Sequence, residues 1–166
     1  MSTTPVRRKI TLFGLFGQGN LGNECTLEAM LHNIRKWVPD AEISCLCTGP
    51  QEVASQYHIP AFAIKEMPLP PVKSRVWRLL RRAVVSIPLE LLRWFKAAKR
   101  LKGCHMFIIA GTGIVSDIAV GPGGHYEMLR YSLLAKLRRC RVFFVSVGAG
   151  PIHGSLSKFF IKARRF

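Results

Sequence analysis

Residues 10–34 carry the pattern that most restricts how this chain can fold. The apolar run Ile10 to Phe16 leads into Gly17-Gln18-Gly19-Asn20-Leu21-Gly22-Asn23-Glu24, after which Leu27, Met30, Leu31 and Ile34 recur at helical spacing. A buried-type strand, a loop whose three glycines let its backbone approach another group closely, and an amphipathic helix form one strand-loop-helix unit. The loop is a candidate ligand cradle.

The same alternation continues along the chain. Glu42 to Cys47 reads as a second strand, Gln51 to Tyr57 as a short helix and Ala61 to Ile64 as a short third strand. Met67-Pro68-Leu69-Pro70-Pro71 then breaks the pattern, because proline removes backbone donors. Val76 to Val85 and Leu89 to Leu101 are helix-like, with Pro88 between them as a break or first-turn residue. His105 to Ala110 is a buried-type strand, Gly111 to Gly124 a glycine-rich loop, Tyr126 to Arg138 a helix and Val142 to Val147 another strand. Gly148-Ala149-Gly150-Pro151-Ile152 forms a turn, and Ser155 caps a final helix from about Leu156. Alternating strands and helices predict an α/β domain with a Rossmann-like parallel sheet and flanking helices. Residues 1–166 are read as one such domain, with 67–103 a Pro-rich, then basic and amphipathic, helical excursion within it. The last helix still runs Phe159-Phe160-Ile161 as the sequence reaches Phe166, so a longer protein with a second half is expected.

Charge narrows the partners without choosing one. The chain has 25 Lys and Arg against 9 Asp and Glu, a field that favours anionic partners. Ten of those cations lie between Lys73 and Lys102, where Glu90 is the only acid, so this stretch alone contributes +9. One reading packs the stretch on the body through Trp77, Leu80, Leu92 and Trp94 with its cations in water; the other lays an amphipathic helix pair on anionic lipid. Nucleic acid is disfavoured because no helix-turn-helix, zinc or aromatic RNA-binding motif accompanies the charge. No apolar run reaches the length of a membrane-spanning helix. Arg7-Arg8-Lys9 before the first apolar run mimics an export signal, but Gly14 interrupts that run and no small-x-small cleavage site follows. The expected location is the cytoplasm, with peripheral contact at the inner membrane face open. The five cysteines include Cys45 and Cys47 on one face of a predicted strand, which fits reduced, core-packed thiols. With no Cys-x-x-Cys or His-x-x-x-His to add ligands, no metal is assigned.

Gly17-x-Gly19-x-x-Gly22 satisfies a dinucleotide-binding fingerprint in the right strand-to-helix context. That chemistry also asks for an acid at the end of the second strand to hold the ribose, and the strand ends Cys47-Thr48-Gly49. Dinucleotide binding therefore stays the weaker alternative. Asn20 and Asn23 each have two readings, a helix cap or a ligand group, and Glu24 is also explained by the helix dipole. Two further glycine clusters, Gly111-Thr112-Gly113 with Asp117 and Gly148-Ala149-Gly150-Pro151, end the later strands, and ligands of open α/β sheets bind at that edge. Asp117 reads as a site group or a turn residue. His125 and His153 lie beside these clusters as proton carriers or turn-forming surface histidines.

In combination the three clusters resemble the polysaccharide pyruvyl transferases. That family has an apolar strand followed by Gly-x-Gly-Asn-x-Gly-Asp-Glu, matched by Gly17, Gly19, Asn20, Gly22 and Glu24. Its later triple-glycine loop with a following Asp is matched by Gly111, Gly113 and Asp117, and its Gly-x-Gly-Pro turn by Gly148, Gly150 and Pro151. Asn23 replaces the usual Asp, and an amide neither takes up a proton nor carries charge. The resemblance implies the amino-terminal half of a two-domain, GT-B-like transferase that moves pyruvyl from phosphoenolpyruvate onto two sugar hydroxyls as a ketal, in cell-surface polysaccharide synthesis. Phosphoenolpyruvate is then the donor substrate, held mainly by the other half, no cofactor is needed, and the acceptor is a sugar or polysaccharide, lipid-linked if the basic stretch touches membrane. Asp117, Glu24 and His125 are the expected catalytic groups; Gly17, Gly19, Asn20, Gly22, Asn23, Gly111, Thr112, Gly113, Gly148, Gly150 and Pro151 are the expected substrate-binding ones. The alternative from another class is a non-catalytic sugar- or membrane-binding remnant.

Overall fold

The period-2 alternation of the central strands points their apolar side chains into two cores, one on each face of the sheet. The computed structural model describes residues 7–65, 86–111, 113–117, 121–148 and 150–162. Strands β1 (Lys9–Phe13), β2 (Glu42–Cys47), β3 (Ala61–Ala63), β4 (Cys104–Ala110) and β5 (Arg141–Val145) form a wholly parallel sheet in the order β3-β2-β1-β4-β5. Helices α1 (Leu21–Trp37), α2 (Pro50–Tyr57), α3 (Ile87–Arg100), α4 (Gly121–Leu137) and α5 (Ser155–Lys162) connect and flank the strands. The arrangement is α/β and Rossmann-like, as the alternation predicts.

Ile10 and Leu12 of β1, Cys45 and Cys47 of β2 and Ile108 of β4 share one core with Leu27, Leu31 and Ile34 of α1 and Val53 of α2. Phe13, Phe107 and Ile109 point the other way, into a core with Ala97 and Leu101 from the α3 region and Met128, Tyr131, Leu134 and Ala135 of α4. Phe13 packs against Phe107 and Tyr131 at ring-centroid distances of 5.8 and 5.7 Å. Each such side chain stabilises the fold by about 1.5–3 kcal/mol relative to exposure. Both faces of β1 are thus covered, as parallel sheets require.

Several boundaries differ from those expected. β1 stops at Phe13 rather than Phe16 and leaves the sheet at Gly14, where a Cβ would lie 2.5 Å from the Ala110 carbonyl oxygen. α3 starts at Ile87 and takes Pro88 into its first turn, where the missing N–H costs nothing. The larger correction is α4, which begins at Gly121 instead of Tyr126. Glycines read as loop are poor helix formers, but Tyr131, Leu134 and Ala135 anchor the helix in the core, and such packing outweighs propensity.

The expected apolar anchors of the basic stretch also need correction. Leu92 is 55% exposed, together with Ile87, Leu91 and Phe95, while Trp77, Leu80 and the helix-like run 76–85 lie outside the described residues. α3 is held by Ala97 and Trp94 and by a polar network. Trp94 Nε1 donates to the Tyr126 hydroxyl at 2.9 Å, which donates to Glu90 Oε1 at 2.5 Å. Arg130, almost fully buried, donates to the same Glu90 oxygen at 3.1 Å and also binds Glu127. Burial alone would raise the Glu90 pKa, but the Tyr126 hydrogen bond and the Arg130 charge outweigh it and hold the carboxyl below its ordinary value. Burial pushes Glu127 the other way, up.

The loops at the carboxyl ends of β1 and β2 cross backbone on backbone. A Cβ built on Gly17, whose φ is +78°, would lie 2.2 Å from the Gly49 carbonyl oxygen, and one on Gly49 would lie 1.9 Å from that of Gly17. The Phe16 carbonyl oxygen accepts from Gly49 N and from Thr48 Oγ1, both at 2.9 Å. Gly19 has φ +72° but nothing within 4 Å of its would-be Cβ. Gly17→Ala therefore meets both a clash and a left-handed φ and should lose about 3 kcal/mol or more of unfolding free energy. Gly19→Ala meets only the φ penalty and should lose about 1 kcal/mol. Urea unfolding of the two variants checks this; equal losses would remove the crossing as the reason for Gly17.

Candidate active site at the carboxyl edge

The strand order places the three glycine loops side by side. The chain runs outward from β1 through β2 to β3, then returns to β4 on the other flank of β1. The loops after β1 and β4 therefore diverge at a topological switch point, where open α/β sheets form a crevice. The third loop follows β5, the next strand over, at the same edge.

In the first loop the polar side chains hold backbone. Asn20 is the N-cap of α1, its side-chain oxygen accepting from Gly22 N at 3.1 Å and Asn23 N at 3.4 Å. Glu24 folds back from the first turn, and its Oε1 accepts from Gly17 N at 2.8 Å and Gln18 N at 3.3 Å. Its Oε2 is buried with no hydrogen-bond partner among the described residues. Glu24 thereby fixes the loop whose Gly17 crosses Gly49, while Gly19 faces open space.

Asn23 joins the first loop to the second. It is buried, donates from Nδ2 to the Leu15 carbonyl at 3.1 Å, and its Oδ1 lies 3.0 Å from where a Cβ on Gly111 would sit. An aspartate could not donate to Leu15, so the amide has a structural reason at this position. Gly111 at φ +113° and Gly113 at φ +76° adopt backbone that favours glycine. Thr112 lies outside the described residues.

The third loop is clamped onto the second. Gly150 N donates to the Val115 carbonyl at 3.0 Å, and a Cβ on Gly150 would lie 2.5 Å from Ser116 Oγ. Asp117 Oδ2 accepts from the backbone N–H groups of His153 and Gly154 at 2.7 and 2.8 Å, just ahead of α5. Gly148 is half-buried and Pro151 exposed beside these contacts, while Ile152 packs against the core. The Gly154 amide, the Ser157 hydroxyl and the His153 amide, with a smaller contribution from His125, lower the Asp117 pKa to about 2. A carboxylate so weakly basic is a poor proton acceptor at neutral pH but a lasting negative charge.

His125 is not the turn-forming surface residue of one reading. It sits within α4 and is fully buried, with Nδ1 3.6 Å from Asp117 Oδ1. His153 is exposed and is bound to Asp117 through its backbone. Of the expected catalytic groups, the fold brings Asp117 and His125 together and gives Glu24 to the first loop. Sequence reasoning missed Ser116 and Ser157, which contact the third loop and Asp117; only their position beside the glycine clusters hinted at them. Among the described residues, no group of three or more His, Cys, Asp or Glu could hold a metal, and no helix is long and apolar enough to cross a membrane.

The low Asp117 pKa sets the direction of a pH effect. A carboxyl depressed in the folded state adds stability above its ordinary value, near pH 4, and loses that contribution as pH falls toward about 2. Asp117→Asn should melt below the wild type at pH 7, and the gap should close between pH 4 and 2. A gap independent of pH in thermal melts would show that the Asp117 charge does not hold the third loop.

Residues 20–164 match the sequence profile of the family described as polysaccharide pyruvyl transferase, a span that takes in α1 and both later glycine loops. No curated protein matches the chain. The match covers most of the sequence and includes the clamped second and third loops, so the chain belongs to the polysaccharide pyruvyl transferase family.

Proposed function

We propose that this domain is the acceptor-side wall of an enzyme that transfers pyruvyl from phosphoenolpyruvate to two hydroxyls of a sugar, as a ketal, during cell-surface polysaccharide synthesis. The observation that carries the acceptor assignment is the charge of the three lips. The stretches Gly14 to Glu24, Gly111 to Asp117 and Gly148 to Gly154 contain no Lys or Arg, although the chain as a whole is strongly cationic. A trianionic donor needs cationic groups for its carboxylate and phosphate, whereas a neutral sugar needs polar groups and close backbone approach. The lips suit the sugar, and the donor's cations belong elsewhere in the enzyme.

The reaction protonates the methylene carbon of the enolpyruvyl group, adds one sugar hydroxyl at the neighbouring carbon, expels phosphate and closes the ketal with the second hydroxyl. Both hydroxyls lose their protons along the way. In this reading His125 carries a proton, and Asp117 stabilises its charged form across the 3.6 Å between them. Because His125 is buried, its action requires a local opening of the site when sugar binds. Glu24, Asn20 and Asn23 are positioning residues that fix the loops against which the acceptor lies.

Phosphate release from phosphoenolpyruvate by the full-length protein, with and without glycans, tests this reading. Release should require a glycan and yield a ketal-bearing product, and His125→Gln should lower kcat by about 10²–10⁴-fold. Glycan-independent release without ketal formation would overturn the assignment.

A further inference from the structure

The opposite edge of the sheet carries chemistry that pyruvyl transfer does not use. Cys104 opens β4 and Cys140 immediately precedes β5, so the parallel pairing of these strands brings the two thiols together at their amino-terminal ends. Their sulfurs are 2.9 Å apart, and both residues are buried. Closing that gap to a bonded length of about 2.05 Å takes a movement of about 1 Å. Cys25, by contrast, is exposed on α1.

Cys104 also lines a cavity of about 570 Å³. Arg8, Arg138, Arg139 and Arg141 surround it, and among the described residues no Asp or Glu lines it. Of the neighbouring charges on β1 and β2, Lys9 is paired with Glu42 at 3.3 Å, while His105 Nδ1 accepts from Lys9 N. The cavity therefore presents an excess of guanidinium groups, which attract carboxylates and orient them by paired hydrogen bonds. At its floor, hydrogen bonding from Cys140, helped by Thr11, outweighs burial and lowers the Cys104 pKa to about 7. Cys140 moves strongly upward, first through its hydrogen bond to Cys104 and then through burial. One thiol is thus the nucleophile and the other the held proton.

We propose that Cys104 and Cys140 are a redox-active dithiol that reacts with small carboxylate-bearing disulfides captured by the arginine-lined cavity. The Cys104 thiolate attacks one sulfur of the disulfide RS–SR, forming a Cys104–SR mixed disulfide and releasing one thiolate RS⁻. With Cys104 no longer an anion, the main cause holding the proton on Cys140 is gone. Cys140 loses that proton to solvent and attacks Cys104 Sγ, the Cys104–SR bond breaks, and the second RS⁻ leaves. The protein dithiol is oxidised by two electrons and the small disulfide is reduced to two thiols. The product bond ties β4 to β5 at the edge away from the sugar-facing loops.

Glutathione disulfide, which is anionic, and bis(2-hydroxyethyl) disulfide, which is neutral, are the probes for the full chain. Intact mass should show the loss of two hydrogens, and a non-reducing peptide map should place the bond between Cys104 and Cys140. Glutathione disulfide should react about tenfold faster than the neutral probe at low salt, with the advantage fading at high salt and in Arg138→Gln/Arg139→Gln/Arg141→Gln. Cys140→Ser should stop at the mixed disulfide on Cys104, and Cys25→Ser should change nothing. If Cys140→Ser does not fold, the wild-type peptide map still decides. Oxidation confined to Cys25, or no Cys104–Cys140 bond, would overturn the dithiol; equal rates for the two probes at low salt would overturn capture by the cavity.

Discussion

Where β1 leaves the sheet, its backbone passes so close to the loop after β2 that neither Gly17 nor Gly49 has room for a β-carbon. The other contacts of the carboxyl edge build on this crossing. Glu24 can accept from Gly17 and Gln18 only because the loop is turned back over the start of α1. That turn puts Asn23 against Gly111, and through β4 the arrangement extends to Ser116, Asp117 and the third loop. The glycines serve first to let three loops lie against one another. Any ligand then meets a surface already set by backbone contacts, which lowers the ordering cost of binding.

Much of this was legible in the sequence because it depends on local pattern. Alternating residues of β1 and β4 fill opposite cores, and Leu27, Leu31 and Ile34 recur on the buried stripe of α1, so class and element order could be read directly. Cys45 and Cys47 do share one face and one core. Residues whose role depends on distant partners were harder. The start of α4 was hidden by Gly121, Gly123 and Gly124, whose weak helix propensity is overridden by core contacts of later turns. Leu92 suited an apolar stripe, yet α3 is held through Trp94 and a network around Arg130 that spans two helices. His125 looked like a loop residue for the same reason that α4 looked shorter, and its burial beside Asp117 depends on where the helix starts. The Cys104–Cys140 contact had no local signal because it depends on the register between β4 and β5.

The two edges of the sheet divide the electrostatics of the domain. The carboxyl edge has polar and acidic side chains spent on backbone, with no cation in its three lips. The amino edge gathers Arg8, Arg138, Arg139 and Arg141 around a reactive thiol. The proposed sugar and the proposed small anion would meet opposite ends of the same strands, with β4 running from Cys104 to Ala110 between them. This separation follows from the parallel topology, which places all strand starts at one edge and all strand ends at the other.

If the three lips form one sugar-facing surface, a bound glycan touches all of them at once. Amide chemical-shift mapping of the isotope-labelled domain, titrated with acceptor glycan, reads this out residue by residue. The shifts should concentrate at Gly17 to Glu24, Gly111 to Asp117 and Gly148 to Gly154, moving together with one dissociation constant. Shifts clustered around Arg8, Cys104 and Arg141 instead, or different dissociation constants for the three loops, would contradict it.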